Sequence, residues 1–140
     1  MVDIKDLRLG NWVYDGEKAQ FPMRVETLGD DYVYLDFDGN EGDVWESTSE
    51  DIHGIPITRQ LLEKLGFKEN CYYYYHLDEN NYLQYYFHEH RLRRYYEGKD
   101  EWNNHPHVRE ISFECRGIHY LHQLQNAFYM ATQQELKVNL

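Results

Sequence analysis

The sequence has few cysteines, and its opening residues contain no apolar run. Only two cysteines occur among 140 residues, Cys71 and Cys115. Two thiols make no disulfide framework in a chain of this length, so we expect both to be reduced and at least partly buried. The opening residues MVDIKDLRLGN carry acidic side chains and no apolar run. We therefore expect neither a secretory signal nor a membrane-spanning segment, and a cytoplasmic location.

Basic residues are also scarce. Fourteen Lys and Arg stand against 25 Asp and Glu, which gives a formal net charge of -11. A field of that sign repels phosphate backbones and anionic membranes, so binding to nucleic acid or to a membrane is disfavoured. Phosphate-binding loops, dinucleotide fingerprints, nucleophile elbows and HExxH zinc motifs are missing from the sequence. No catalytic residue and no cofactor are predicted, and an enzyme is the less favoured interpretation.

Apolar and aromatic residues are plentiful: 41% of the chain is hydrophobic and 14 residues are Tyr. Short alternating segments fill the first fifty-odd residues, and in one of them Met23, Val25 and Thr27 are expected on one face. A turn is predicted at Asp38 and Gly39. The segments read NWVYD, MRVETL, YVYLDFDG, DVWES and IHGIPI. The pattern indicates a small barrel or a curled sheet, because closure hides strand edges, and residues 1–57 are predicted to form a small SH3-like β-barrel.

A short helix is predicted to follow over residues 59–65. Thr58 is a plausible N-cap, Gly66 suits a left-handed position after the helix, and Phe67 is expected to fold back on Leu62. Strands are then predicted in CYYYYHL, YLQYYFHEH, RLRRYYE and VREISFEC, with EGKDEWNNHP as a loop. Whether residues 82–97 form one bent strand or two is left open.

The stretch YLHQLQNAFYMATQQEL is the most regular part of the sequence. Leu121, Leu124, Phe128 and Ala131 recur at helical spacing and predict a core-facing stripe. The predicted fold is therefore α+β: the barrel, a short connecting helix, and an antiparallel sheet backed by one helix. Residues 58–140 form the second segment, packed with the first as one unit because neither is comfortably stable alone.

Two groups of residues are candidates for a binding surface. His122, Asn126 and Tyr129 cluster opposite the leucines of the last helix, where they form a polar site, contact the barrel, or are simply exposed. Tyr73 and Tyr75 share one face of a strand, and the barrel or a partner could cover them. One helix can cover only one face of the tyrosine-rich sheet, so a protein partner or a homodimer is expected at the other face.

Two His-x-His pairs are weak candidates for a metal site: His88 with His90, and His105 with His107. Residues two apart on a strand point the same way, so each pair could contribute two ligands. No further metal motif supports them, and exposed or locally bonded histidines are the simpler interpretation. No metal is predicted.

The order of three motifs resembles a family of small uncharacterised proteins from Bacteroides-type gut bacteria and their prophages or mobile elements. Members of that family carry LRIGNWV, then GIPLT, then HQLQNLYFALTGEEL. This chain has LRLGNWV at 7–13, GIPIT at 54–58 and HQLQNAFYMATQQEL at 122–136. Gln133 stands where the family has glycine, so the helix is expected to run on or to end without a left-handed cap. The resemblance implies a prophage or mobile-element origin and transfers no catalytic residue.

The function itself is not encoded in any motif. The leading hypothesis is a non-catalytic accessory or binding protein that acts through protein contacts. One alternative is a metal-dependent enzyme that uses the histidine pairs. A second alternative is an acidic nucleic-acid mimic that blocks a DNA-binding protein.

Overall fold

The computed structural model describes residues 1–16, 21–37, 42, 45–100 and 105–140, and their side chains except those of residues 99, 100 and 105–107. The predicted turn at Asp38 and Gly39 lies outside the described residues. Two α-helices and ten strands occur in the described part of the chain, so the fold is α+β with a predominance of strand. The strands are β1 Trp12–Asp15, β2 Phe21–Leu28, β3 Tyr32–Asp36, β4 Trp45–Thr48, β5 Ile52–His53, β6 Lys68–Asn70, β7 Tyr72–His76, β8 Asn81–Tyr86, β9 Arg91–Asp100 and β10 His105–Cys115; the helices are α1 Arg59–Lys64 and α2 Leu121–Thr132.

The first five strands form one curled antiparallel sheet, a half-barrel with the order β4-β3-β2-β1-β5. Its core is a cluster of buried apolar side chains at alternate strand positions, joined by residues of the N-terminal segment. The cluster comprises Val2, Ile4, Leu7, Val13, Met23, Val25, Val33, Leu35 and Ile52. Thr27 is exposed, contrary to the expected face, because the register between β2 and β3 shifts between Val25 and Thr27.

The other five strands form a second antiparallel sheet with the order β10-β9-β8-β7-β6. The open question about residues 82–97 is settled: β8 and β9 are two strands, joined by a turn in which His90 has a φ of 54°. Strand β6 was not predicted. The expected loop over residues 97–106 is shorter, since β9 extends to Asp100 and β10 begins at His105.

Helix α1 begins at the predicted residue, ends one residue earlier than predicted, at Lys64, and has the predicted caps. The Thr58 hydroxyl accepts a hydrogen bond from the backbone N–H of Leu61 at 3.1 Å, and Gly66 has a φ of 97°. The backbone N–H of Phe67 donates to the carbonyl of Leu62 at 3.0 Å, which closes the C-terminal capping motif.

Helix α2 buries the predicted apolar stripe of Leu121, Leu124, Phe128 and Ala131. The expectation about its end was wrong, because Gln133 takes a left-handed cap with a φ of 61°. The backbone N–H of Gln133 donates to the carbonyl of Tyr129 at 2.7 Å. That bond satisfies a terminal carbonyl, and it holds Gln133 in a conformation that glycine adopts more easily.

The chain divides into two compact units. The N-terminal unit contains Met1–Ile57, His119–Asn126 and Leu140, and the C-terminal unit contains Thr58–Ile118 and Ala127–Asn139. The division therefore falls inside α2. Neither described helix combines the length and the apolar character that crossing a membrane requires.

Candidate functional site

The inward face of the curled sheet continues past its core to an aromatic pocket. Directly opposed residues of paired strands point to the same face, so the pairing of Asp15 with Phe21 places both in the inward-facing row. Trp45 lies opposite the buried Leu35 in the same way. These side chains surround a pocket of about 360 Å³. Its described lining residues are Asp15, Phe21, Met23, Phe37 and Trp45.

The aromatic rings of this pocket are accessible to solvent. The side chains of Phe21 and Trp45 are 51% and 55% exposed, whereas Met23 is buried. Phe21 and Phe37 meet edge to face, with ring centroids 5.3 Å apart. The pocket therefore has a buried apolar base and an exposed aromatic rim.

A fixed carboxylate completes the pocket wall. The Ser47 hydroxyl donates a hydrogen bond of 2.8 Å to Oδ1 of Asp15, and Ser47 itself is buried. This bond orients the carboxylate within the otherwise apolar lining. Aromatic faces attract cations through the ring quadrupole, and a nearby carboxylate adds a direct charge interaction. The pocket can thus accept a positively charged group that carries an apolar stem.

The charge of the segment around the pocket also favours a positively charged ligand. Residues 1–57 contain 14 acidic and four basic side chains, a formal charge of -10, while residues 58–140 contain 11 acidic and ten basic ones, a charge of -1. Nearly all the negative charge of the protein thus belongs to the segment that forms the curled sheet. A field of this sign attracts cationic partners and accelerates their association.

The HQLQN motif is structural: its polar residues bind the LRLGNW segment. Gln125 is 4% exposed, and its Oε1 accepts a hydrogen bond of 2.9 Å from the backbone N–H of Trp12. Its Nε2 donates to the carbonyl of Gly10 at 3.0 Å. Oδ1 of Asn126 accepts from Nδ2 of Asn11 at 2.9 Å and from a guanidinium nitrogen of Arg8 at 3.2 Å. Among the alternatives for Asn126, contact with the N-terminal segment is therefore the one observed.

His122 is buried rather than placed on an outer face. It is 3% exposed, and its ring stacks against Tyr120 with centroids 6.0 Å apart. Burial lowers the pKa of His122 to about 4, although the nearby Asp6 carboxylate acts in the opposite direction. The imidazole is therefore neutral at neutral pH and is not available as an exposed binding group. Tyr129 is 36% exposed.

Tyr73 and Tyr75, the candidates for a surface covered by the barrel or by a partner, pack against other aromatic side chains of the C-terminal unit. Tyr73 is 5% exposed, and its ring lies 6.2 Å from that of Phe87. Tyr75 is half-buried, with its ring 5.2 Å from Phe128 of α2. Both side chains thus belong to the packed face of the second sheet, because they share the strand face that meets the helix.

The opposite face of that sheet is covered largely by arginine side chains. Tyr82 and Tyr95 are stacked and are only 7% and 3% exposed, and the guanidinium of Arg109 lies 4.0 Å from the centroid of the Tyr95 ring. Arg91 lies over Tyr86 in the same way, at 4.3 Å. Arginine stems can cover apolar rings while their charged heads stay near solvent. This cover explains why few tyrosines are free to meet a partner.

Tyr86 and Tyr95 share a hydrogen bond, and their pKa values are shifted in opposite directions. Burial raises the pKa of Tyr86 to about 12, with the bond to Tyr95 acting in the same direction. Burial also raises the pKa of Tyr95, but hydrogen bonds from Arg93 and Tyr86 and the charge of Arg93 outweigh it and leave that pKa below its usual value. The Tyr95 side chain is 3% exposed.

The first of the two histidine pairs lacks the geometry assumed for it. His88 and His90 lie in the turn between β8 and β9, so the strand alternation that would align them does not apply. The side chains of His105 and His107 lie outside the described residues. Among the side chains that the structure describes, no group of three or more His, Cys, Asp or Glu could hold a metal ion. Cys71 is exposed, contrary to the expectation, and Cys115 is half-buried; both are free thiols.

The aromatic pocket was not recognised from the sequence. Its signal in the sequence is weak: Phe21, Phe37 and Trp45 lie at or just beyond strand ends, and only strand pairing brings them together.

Comparisons of the chain with protein-family models, with curated proteins and with solved structures gave no match.

Proposed function

We propose that the protein is a non-catalytic binding protein whose N-terminal unit binds a basic segment of a protein partner. The observation that carries the proposal is the exposed aromatic pocket with Asp15 in its wall, set in a segment of charge -10. A Lys or Arg side chain placed over Phe21 and Trp45 would bury its apolar stem against the rings and direct its charge to the carboxylate of Asp15.

The magnitudes favour recognition of modest affinity. A cation over an aromatic face contributes about 0.5–1 kcal/mol when exposed and about 2 kcal/mol or more when desolvated. The acidic segment adds long-range attraction, which raises the association rate and weakens with salt. The pocket therefore supplies specificity for one anchoring side chain, and the charge of the segment supplies attraction for the rest of a basic segment.

Two further features of the proposal have separate support. We propose that the curled sheet is an SH3-like barrel, which is consistent with its strand order and with the shift of register in β2 that allows one strand to bend. We also propose a cytoplasmic accessory role in a prophage or mobile element. That role is supported by the resemblance of the LRLGNWV, GIPIT and HQLQN motifs alone.

The test is calorimetric titration with a short peptide rich in Arg and Lys, with a peptide of the same length rich in Glu as the negative probe. Wild-type protein should bind the basic peptide saturably. Trp45→Ala should weaken binding by about two- to thirtyfold, the range expected for loss of one exposed to desolvated cation–aromatic contact. The control is Tyr32→Ala, which removes another partly exposed aromatic of the same unit that does not line the pocket. Equal affinities of the three proteins would contradict the proposal.

The same experiment distinguishes the proposed function from a second candidate, an acidic nucleic-acid mimic, which the charge of -10 favours. A mimic acts through its summed charge, so its binding should be abolished by salt yet indifferent to Trp45→Ala. Binding through the pocket should retain a part that depends on Trp45 at high salt. The metal-dependent alternative has no support among the described side chains.

A further inference from the structure

Three lysines of the C-terminal unit line one pocket. The chain has six lysines in all. Lys64, Lys68 and Lys137 line a pocket of about 330 Å³, together with His76 and Asn139. The pocket is distinct from the aromatic pocket of the curled sheet. Half of the lysines of an acidic protein are thus gathered at one place.

The charged side chains in the described lining of this pocket are all basic. None of its described lining residues is acidic. Within the described part of the chain, ion pairs join arginines to carboxylates, and none involves Lys64, Lys68 or Lys137. Like charges held close together repel one another, and an anion placed between them would relieve that repulsion.

The turn between α1 and β6 places Lys64 and Lys68 near each other. Lys64 is the last residue of α1, and the left-handed Gly66 turns the chain directly into β6, where Lys68 begins the strand. In the register of β6 and β7, Lys68 lies opposite Tyr74. A Cβ at Gly66 would lie 3.3 Å from the Tyr75 ring, so glycine also permits the close approach of this turn to the pocket wall.

The remaining lining defines the other part of a ligand. The Tyr75 ring, which lies on the helix-facing side of β7, and the buried Leu65 supply an apolar part of the lining, and the Asn139 amide supplies a neutral hydrogen-bonding group. Tyr74 points to the other face of the strand, as does Lys68 opposite it. Lysine ammonium groups bind phosphate oxygens as point charges. Aromatic rings favour planar groups stacked on them. The volume is within the range of pockets that bind small molecules.

We propose that this pocket binds an organic phosphate, a small molecule with one or more phosphate groups held by the lysines and an apolar, planar part against the Tyr75 ring. This site is independent of the proposed binding of a basic segment, because it lies in the other unit and has the opposite charge. A failure of either proposal leaves the other standing.

The test uses adenosine monophosphate as the probe, with adenosine and inorganic pyrophosphate as its uncharged and purely inorganic counterparts. Backbone amide shifts in NMR titrations should show saturable binding of the monophosphate at Gly66 and His76. Adenosine should bind at least about tenfold more weakly, because it lacks the charge that the lysines recognise. Pyrophosphate should shift the amides of the same lysine-bearing segments, because its charge is recognised in the same way, but it makes no contact with the Tyr75 ring.

Matched variants assign the binding to the pocket. Lys64→Gln with Lys137→Gln should weaken binding of the monophosphate by about four- to 25-fold, from two- to fivefold per exposed ion pair. Lys5→Gln with Arg116→Gln makes the same change of net charge on residues that do not line the pocket, and should leave affinity within about twofold. Thermal melts check that both double variants fold.

Three outcomes would overturn the proposal. The first is no saturable binding of the monophosphate, and the second is equal weakening by the two double variants. The third is salt-sensitive self-association that disappears in Lys64→Gln with Lys137→Gln. That result would assign the pocket to the acidic surface of a second copy rather than to a small phosphate ester.

Discussion

Gln125 provides the sharpest test of how the motifs of this chain act. Its side chain bonds to the backbone at both Gly10 and Trp12, and it is 4% exposed. Replacing it by Ala removes two hydrogen bonds, each worth about 0.5–1.5 kcal/mol net. It also leaves the buried N–H of Trp12 without this acceptor, and an unsatisfied buried donor costs about 1–3 kcal/mol. Because these terms overlap, we expect a loss of about 2–4 kcal/mol in the free energy of unfolding.

The assay is urea denaturation of wild type, Gln125→Ala and Gln134→Ala, followed by far-ultraviolet circular dichroism. Gln134 is an exposed glutamine just beyond α2, so its truncation should cost less than about 0.5 kcal/mol. Amide hydrogen exchange adds a local measurement. The N–H of Trp12 should lose protection in Gln125→Ala, because its acceptor is gone.

A volume control separates packing from hydrogen bonding. Gln125→Met keeps most of the side-chain volume and removes both bonds, so it should destabilise the protein nearly as much as Gln125→Ala. If Gln125→Ala costs no more than Gln134→Ala, the interpretation of HQLQN as a structural lock on LRLGNW is refuted. If Gln125→Met is neutral, burial of volume rather than the two bonds explains the effect.

Three further predictions concern acidity, helix ending and association. Burial lowers the pKa of His122 to about 4, so the unfolded chain takes up this proton at higher pH than the folded one. Stability should therefore fall as the pH drops from about 6.5 towards 4, by up to about 3 kcal/mol, and denaturation of His122→Phe should show a shallower decline than wild type. Gln133→Gly should stabilise the protein by about 0.5–1 kcal/mol by relieving a left-handed non-glycine residue, whereas Gln134→Gly should not; equal melting temperatures of the two variants would count against a strained cap. Tyr72 and Ile111 of the second sheet are exposed, so a homodimer formed through this sheet remains a prediction. Sedimentation should show weak to moderate association that becomes tighter as salt screens the repulsion between two acidic chains. A strict monomer at all salt concentrations would exclude the homodimer.

Local features of the fold were predictable because their causes lie within a few residues. The Thr58 cap and the left-handed Gly66 follow from side-chain and backbone preferences at the helix ends themselves. The buried stripe of α2 follows from the helical repeat. The left-handed cap at Gln133 was not predicted, because glutamine rarely adopts the left-handed conformation in which many helices end.

The faces of the second sheet could not be chosen from the sequence. Both faces of β7 carry tyrosines, so alternation alone does not say which pair meets the helix. The contact between Tyr75 and Phe128 settles the question, and it joins residues more than fifty positions apart in the chain. The sequence likewise gave no warning that His88 and His90 lie in a turn.

The sequence by itself determined the strand-rich N-terminal segment, the two helices and the excess of negative charge, because composition and short-range periodicity carry that information. Only the tertiary structure decided that Gln125 binds Gly10 and Trp12, that Phe21 and Trp45 border one pocket, and that Lys64 and Lys137 border another. The physical reason is chain separation. Strand register and helix docking bring together the residues of each site. Strand register and helix docking are not specified by the identity of residues that are neighbours in the chain.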